Sequence, residues 1–178
     1  MTQKLIFLLL TGLVWACSSV RVVDTKADNG FSLARYKTYN FYSVETTGDS
    51  GRVSIRPQVD RLKEAITREL ESRGLRRAAQ PDLLVNIGLN VAEKVQTRQT
   101  SLLTDPPNYI GQRRYTWRSR EVEVGRYKQG TVDIHLVDRS RNEMVWQGVA
   151  EGVIPDKPDK RQKRANESMA KLFEKVPQ

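Results

Sequence analysis

Asp133 and His135 lie two residues apart, the pairing from which a carboxylate-oriented general base is built. On a strand they share one face at about 7 Å, close enough for the acid to orient the imidazole. That is half of a nucleophilic triad, and no Ser or Cys in a recognisable elbow completes it. Glu121 and Glu123 repeat the spacing, within the range of paired glycosidase carboxylates. The arginines around them lower a carboxyl pKa, whereas a general acid needs it raised. Both pairs therefore read as solvated strand faces, with no catalytic residue assigned and a polymer hydrolase acting through Glu121, Glu123 or His135 as the weaker alternative. One Cys and one His rule out a zinc cluster of Cys/His ligands. Gly148 and Gly152 form no nucleotide fingerprint, so neither metal nor cofactor is expected.

A second kind of chemistry is recognition of anions. Arg113, Arg114, Tyr115, Trp117, Arg118 and Arg120 interleave cations with aromatic rings, the mixture that grips phosphates and stacks on rings. These six residues are the candidate surface for an anionic partner, an acidic lipid or envelope polymer such as lipopolysaccharide. The plainer reading is arginines guarding an exposed strand while the aromatics enter the core. Lys157, Lys160, Arg161, Lys163 and Arg164 form another basic run at the start of the last helix, where cations oppose the helix dipole. Trp146 reads as a core residue on a face with Met144 and Ala150.

The third is covalent. Cys17, the single cysteine, ends Leu13-Val14-Trp15-Ala16-Cys17 after a positive Lys4 and an apolar run from Leu5 to Val14. The segment resembles a bacterial lipobox, in which residues 1–16 are removed as a signal peptide and the cysteine takes acyl chains. A plain secretory cleavage or an uncleaved short anchor are the alternatives, although the apolar run is short of the roughly twenty residues a membrane span needs. Ser18 after the cysteine, rather than Asp, points to an outer-membrane lipoprotein facing the periplasm. Export makes nucleic acid an unexpected partner despite a net charge of +9 in 178 residues. The membrane is the expected partner, and no protein partner is indicated. With no second cysteine, an envelope location brings no disulfide framework, so packing alone must stabilise the domain.

The elements that must position these groups follow from periodicity. Residues 17–30 read as the lipidated cysteine and a tether, with Val20-Arg21-Val22-Val23 either tether or short edge strand. Residues 31–178 read as a single domain. Within it Tyr39 and Phe41 share a strand face, and residues 43–54 read as loop. Val59, Leu62, Ala65, Ile66 and Leu70 mark a helix opened by Pro57 and stopped by Gly74. Leu83, Val85, Ile87, Leu89 and Val91 alternate as a half-buried strand that can run on toward Thr100. Residues 101–112 read as loop. A strand over 115–127 contains a change of parity between Trp117 and Val122, which calls for a bulge. Strands over 131–138 and 144–149 form a hairpin. Ala165, Met169, Leu172, Phe173 and Val176 make a final helix. The expected architecture is an α+β two-layer sandwich: one mixed, mostly antiparallel sheet of about five to six strands with both amphipathic helices on one face.

Four stretches add a family resemblance: Phe31-Ser32 with Tyr36-Lys37-Thr38-Tyr39; Pro81-Asp82-Leu83-Leu84-Val85; Gly130-Thr131-Val132-Asp133-Ile134 with Leu136-Val137-Asp138; and Val145-Trp146-Gln147-Gly148. In order and spacing they resemble the bacterial envelope lipoproteins of domain of unknown function 4136, over roughly Val20 to Val176. The resemblance implies a compact α/β domain on a lipid anchor and carries no catalytic residues with it. The arginine-rich, aromatic stretch from Gln112 to Arg126 departs from what the resemblance leads one to expect.

Overall fold

A computed structural model describes residues 20–48, 55–101, 103–105 and 118–178. Six strands form one sheet in the order β1-β6-β5-β4-β2-β3. They are β1 (Val20–Ala27), β2 (Thr38–Gly48), β3 (Arg76–Arg77), β4 (Leu83–Gln99), β5 (Glu121–Asp138) and β6 (Glu143–Val153). Helix α1 (Ile55–Ser72) lies between β2 and β3, and α2 (Pro158–Phe173) follows β6. The pairs β1/β6, β6/β5 and β5/β4 are antiparallel, whereas β4/β2 and β2/β3 are parallel. The mixed sheet arises because the chain must cross back through α1 before β4 can lie beside β2 in the same direction.

The alternation in β4 puts Leu83, Val85, Ile87, Leu89 and Val91 on the buried face. Val132, Ile134 and Leu136 of β5 and Trp146 and Ala150 of β6 extend that face. Helix α1 covers it with Val59, Leu62, Ala65, Ile66 and Leu70, and α2 with Met169, Leu172 and Phe173. Each fully buried aliphatic or phenyl side chain contributes about 1.5–3 kcal/mol, so this shared layer is what holds the domain together. Gly74 ends α1 at φ 90°, a conformation that glycine adopts without a Cβ penalty. Pro158 opens α2, where its missing N–H costs nothing. The Leu33 amide donates to the Pro177 carbonyl at 2.9 Å, tying the C-terminus to the short 3-10 turn Leu33–Arg35.

Several expectations change. Val20–Ala27, left open between tether and short edge strand, is an edge strand paired along β6, so these residues belong to the sheet. Strand β2 runs through Ser43 to Gly48, where a loop was expected, because β4 offers it a long parallel partner. The stretches 115–127 and 131–138 are not two strands: β5 is continuous from Glu121 to Asp138. Gly130, between the two expected strands, lies within β5 and marks a close approach, since a Cβ there would meet the Ile154 side chain at 3.2 Å. The β4/β5 register shifts opposite Gln96–Thr97, leaving Val124 as the extra residue, so this bulge falls after Val122. Tyr115 and Trp117, the other side of the expected parity change, lie outside the described residues. Met144 leaves the Trp146 face, because the register shifts between Leu136 and Val137 and buries Val145 instead.

Past Val91 and Gly130 the β4/β5 pair leaves the helices behind. Residues 93–99 of β4 are all exposed, and β5 from Glu121 to Gln129 is exposed or half-buried. At about 3.3 Å per residue this two-stranded arm extends roughly 25 Å beyond the layered body.

Candidate functional site

One row of the ladder crosses the sheet and orders everything around it: Val20 pairs with Gly152, Gly152 with Gly130, Gly130 with Val91, and Val91 with Gly48. The entry of β1, the exit of β6, the root of the arm and the start of both helices all lie at this end. At the opposite end lie the Asp82 and Asp138 clusters and the turn at Leu33.

Of the sequence-predicted anion-binding residues, Arg118 and Arg120 are described, and both are exposed where the chain enters β5. The backbone there is pinned across the arm: the Thr100 amide donates to the Arg120 carbonyl at 2.7 Å, and the Arg120 amide to Thr100 Oγ1 at 2.8 Å. Arg98 closes the neighbouring turn with a bidentate pair to Asp105 at 2.6 and 2.7 Å. That guanidinium holds the Asp105 carboxyl well below the usual carboxylate range. Arg113, Arg114, Tyr115 and Trp117 lie outside the described residues, as does Cys17. The arm also exposes Val95, Val124 and Leu103.

The second basic run gathers at the same end, in the first turns of α2. Arg161 is used structurally, donating to the Pro155 and Asp156 carbonyls at 2.8 and 2.9 Å. Lys163 and Arg164 share one carboxylate, Glu167, at 4.0 and 3.6 Å. Beneath them a small apolar cavity of about 60 Å³ opens between α1, α2 and the sheet end, lined among others by Gln58, Leu62, Val132, Ile154 and Arg164. A wider 470 Å³ pocket with Lys160, Lys163 and Glu167 adjoins it through Arg164, Val153 and Pro155.

The sequence-predicted carboxylate pairs sit elsewhere. Asp133 Oδ1 is 3.1 Å from His135 Nε2, both half-exposed on the helix-free face of the sheet. The contact lies at ion-pair distance but is not aligned as a hydrogen bond, and His135 Nε2 is otherwise enclosed. The Gln147 amide donates to both Asp133 oxygens at 3.2 and 3.1 Å. A shallow 140 Å³ pocket there brings Ser43, Glu45 and Asn86 beside the pair. Ser43 contributes its amide to Asn86 Oδ1 at 3.3 Å, and among the described residues no hydrogen bond links its hydroxyl to His135. Glu123 accepts from Arg126 at 2.7 Å, which lowers its pKa, and Glu121 accepts from the Thr97 hydroxyl. Glu123 is thus shifted away from the raised pKa that a general acid needs. No group of three His, Cys, Asp or Glu among the described residues could hold a metal ion.

Sequence reasoning missed a cluster at the far end. Asp138 accepts from the Tyr36 hydroxyl at 2.9 Å, from Ser140 Oγ at 2.7 Å, from the Ser140 and Arg141 amides, and from Arg141 Nε at 3.2 Å. The Ser140 hydroxyl is the largest of the causes that hold this carboxyl far below the ordinary range, against the opposing effect of burial. Burial, with Asp138 second, raises the Tyr36 pKa. Asp82 does similar work nearby, receiving the Lys37 and Thr38 amides at 3.1 Å while its own amide donates to Thr38 Oγ1. These acids occur in the quoted stretches Pro81-Asp82 and Leu136-Val137-Asp138, so the signal was there as a pattern without a stated contact.

Fold and surfaces together describe an open α+β domain with the basic run of α2 at the end where β1 enters the sheet. The chain belongs to the family described as domain of unknown function (DUF4136), whose model matches residues 23–178. No curated protein matches it. Among solved structures it is similar to a PelC dodecamer subunit from Paraburkholderia phytofirmans, at 12% identity and TM-score 0.49, covering 90% of this chain and 100% of that one. It is also similar to a PDZ domain protein from Parabacteroides distasonis, at 17% identity and TM-score 0.45, covering 86% of this chain but spanning only 35% of that one. A candidate lipoprotein from Caulobacter crescentus shares 15% identity at TM-score 0.32, with 73% of this chain and 84% of that one covered.

Proposed function

We propose that this chain is a lipid-anchored module of the bacterial envelope that binds rather than transforms, held by acyl chains on Cys17 at the outer membrane and facing the periplasm. The observation that carries the reading is the position of Val20. It is buried, it opens β1, and it pairs with Gly152 at the basic end. Only Ser18 and Ser19 separate it from Cys17, so the tether spans at most about 11 Å. An anchor that short holds the basic end, rather than the Asp138 end, against the bilayer. Among the described residues no helix is long and apolar enough to cross a membrane. Cys17→Ser should move the protein from the membrane to the soluble fraction; membrane fractionation unchanged by the substitution sinks the reading.

A second reading concerns the arm, because Arg118 and Arg120 are exposed on it and it springs from the same end. Here Arg113, Arg114, Tyr115, Trp117, Arg118 and Arg120 bind anionic lipid or lipopolysaccharide. Replacing Arg113, Arg114, Arg118 and Arg120 together by Ala should abolish binding to lipopolysaccharide-containing vesicles at low salt. Binding that survives all four replacements removes the arm from the account.

A further inference from the structure

Two lengths at the basic end are incompatible with an upright molecule. The tether from Cys17 to Val20 spans at most about 11 Å, whereas the β4/β5 arm projects roughly 25 Å past the row on which Val20 lies. With the strands normal to the bilayer, the arm would reach about 14 Å deeper than the acylated cysteine, close to the midplane of a hydrocarbon core about 30 Å thick. Arg98, Glu121 and Glu123 near its end would go with it, and ionised side chains at that depth are costly. Turning the molecule over fails as well. Strand β1 has eight residues, about 26 Å, so the tether cannot reach round it to the far end. What remains is an arm lying along the bilayer surface.

The two faces of the arm differ in charge, because partners across the ladder share a face. Glu93 with Lys128, Val95 with Arg126, Thr97 with Glu123 and Gln99 with Glu121 continue the helix-covered side of the sheet. All three carboxylates of the arm strands are therefore on that side. Lys94 with Tyr127, Gln96 with Gly125 and Arg98 with Val122 lie on the other. This second face carries two cations and an exposed tyrosine, and Arg98 neutralises Asp105 of the neighbouring turn. Such a face suits the headgroup layer, where a tyrosine ring sits at the interface and a lysine stem lets its ammonium reach lipid phosphate. We propose, on the footing of the Cys17 anchor, that the arm lies in the headgroup layer on the face of Lys94, Arg98 and Tyr127, with Glu93, Glu121 and Glu123 turned to water. A two-stranded ribbon twists more strongly than a broad sheet, so this face need not be parallel to any face of the body.

The test uses the acylated chain in vesicles of phosphatidylethanolamine and phosphatidylglycerol that include a lipid with a nitroxide on its headgroup. With Cys17 acylated, an introduced cysteine is the single free thiol to label. Gln96→Cys and Val95→Cys put one fluorophore on opposite faces of the same exposed stretch. The nitroxide should quench the Gln96→Cys label roughly twofold or more over the Val95→Cys label. Lys94→Glu should cut the quenching of the Gln96→Cys label roughly twofold, and Lys128→Glu, on the other face, should leave it unchanged. The comparison of the two labels stands by itself should Lys94→Glu disturb the ribbon. Equal quenching of both labels, stronger quenching of the Val95→Cys label, or quenching of neither, as for an arm held by a second copy or another protein, would each overturn the proposal. Co-flotation with the vesicles reads the anchor separately. Protein that floats with an unquenched arm refutes the placement and leaves the anchor standing, whereas protein that does not float refutes the anchor and the placement with it.

Discussion

At the residue scale, the acid that matters most for integrity is Asp138, and it is not one of the pairs that spacing singles out. The Asp133–His135 contact follows from alternation along one strand and was legible for that reason. The Asp138–Tyr36 bond joins residues 102 positions apart, and no local pattern encodes such a pairing. Asp138→Asn should cost about 2 kcal/mol at neutral pH, the scale of hydrogen bonds to a charged group, read by urea denaturation. Because the folded pKa is depressed, the stabilisation is full above the unfolded carboxylate value near 4 and is lost as pH falls from there through the folded value. The gap between wild type and variant should therefore stay constant from pH 7 to 5 and narrow below about pH 4. A gap that widens in acid would contradict the assignment.

At the element scale, long periodic segments were readable and their joins were not. Helix α1 ends where Gly74 says it should, and the five alternating residues of β4 form the buried centre of the sheet. The joins failed for physical reasons. Polar, glycine-containing segments such as 43–48 and 128–130 look like loops locally, yet a long partner strand recruits them into the ladder. Gly148 shows the converse, a glycine whose place is set by tertiary contact. It lies on the face of β6 that carries Trp146, and a Cβ there would run into the indole and into Leu172. Gly148→Ala should destabilise by about 1–3 kcal/mol through overpacking, with a lower thermal midpoint and altered tryptophan fluorescence. A neutral substitution would mean that the ring does not lie over the glycine.

At the scale of the whole molecule, the ladder decides which cations meet. The net charge of +9 was legible as composition, but the meeting of the start of α2 with the root of the arm was not, because that depends on which strand ends the ladder brings together. The row from Val20 to Gly48 places the entry of the chain, the basic start of α2 and the root of the arm on one side. The Cys17→Ser protein should thus retain weak affinity for vesicles rich in anionic lipid and lose it between 0.1 and 1 M salt, as the screening length falls from about 10 to 3 Å. Equal binding to neutral vesicles would show that the charge is not used. The anchor itself is tested most directly by the intact mass of the protein purified from its native membrane. The account predicts a chain beginning at Cys17 and carrying the added mass of acyl chains. A chain that retains Met1–Ala16, or one that starts at Cys17 or beyond with no acyl mass, would contradict it.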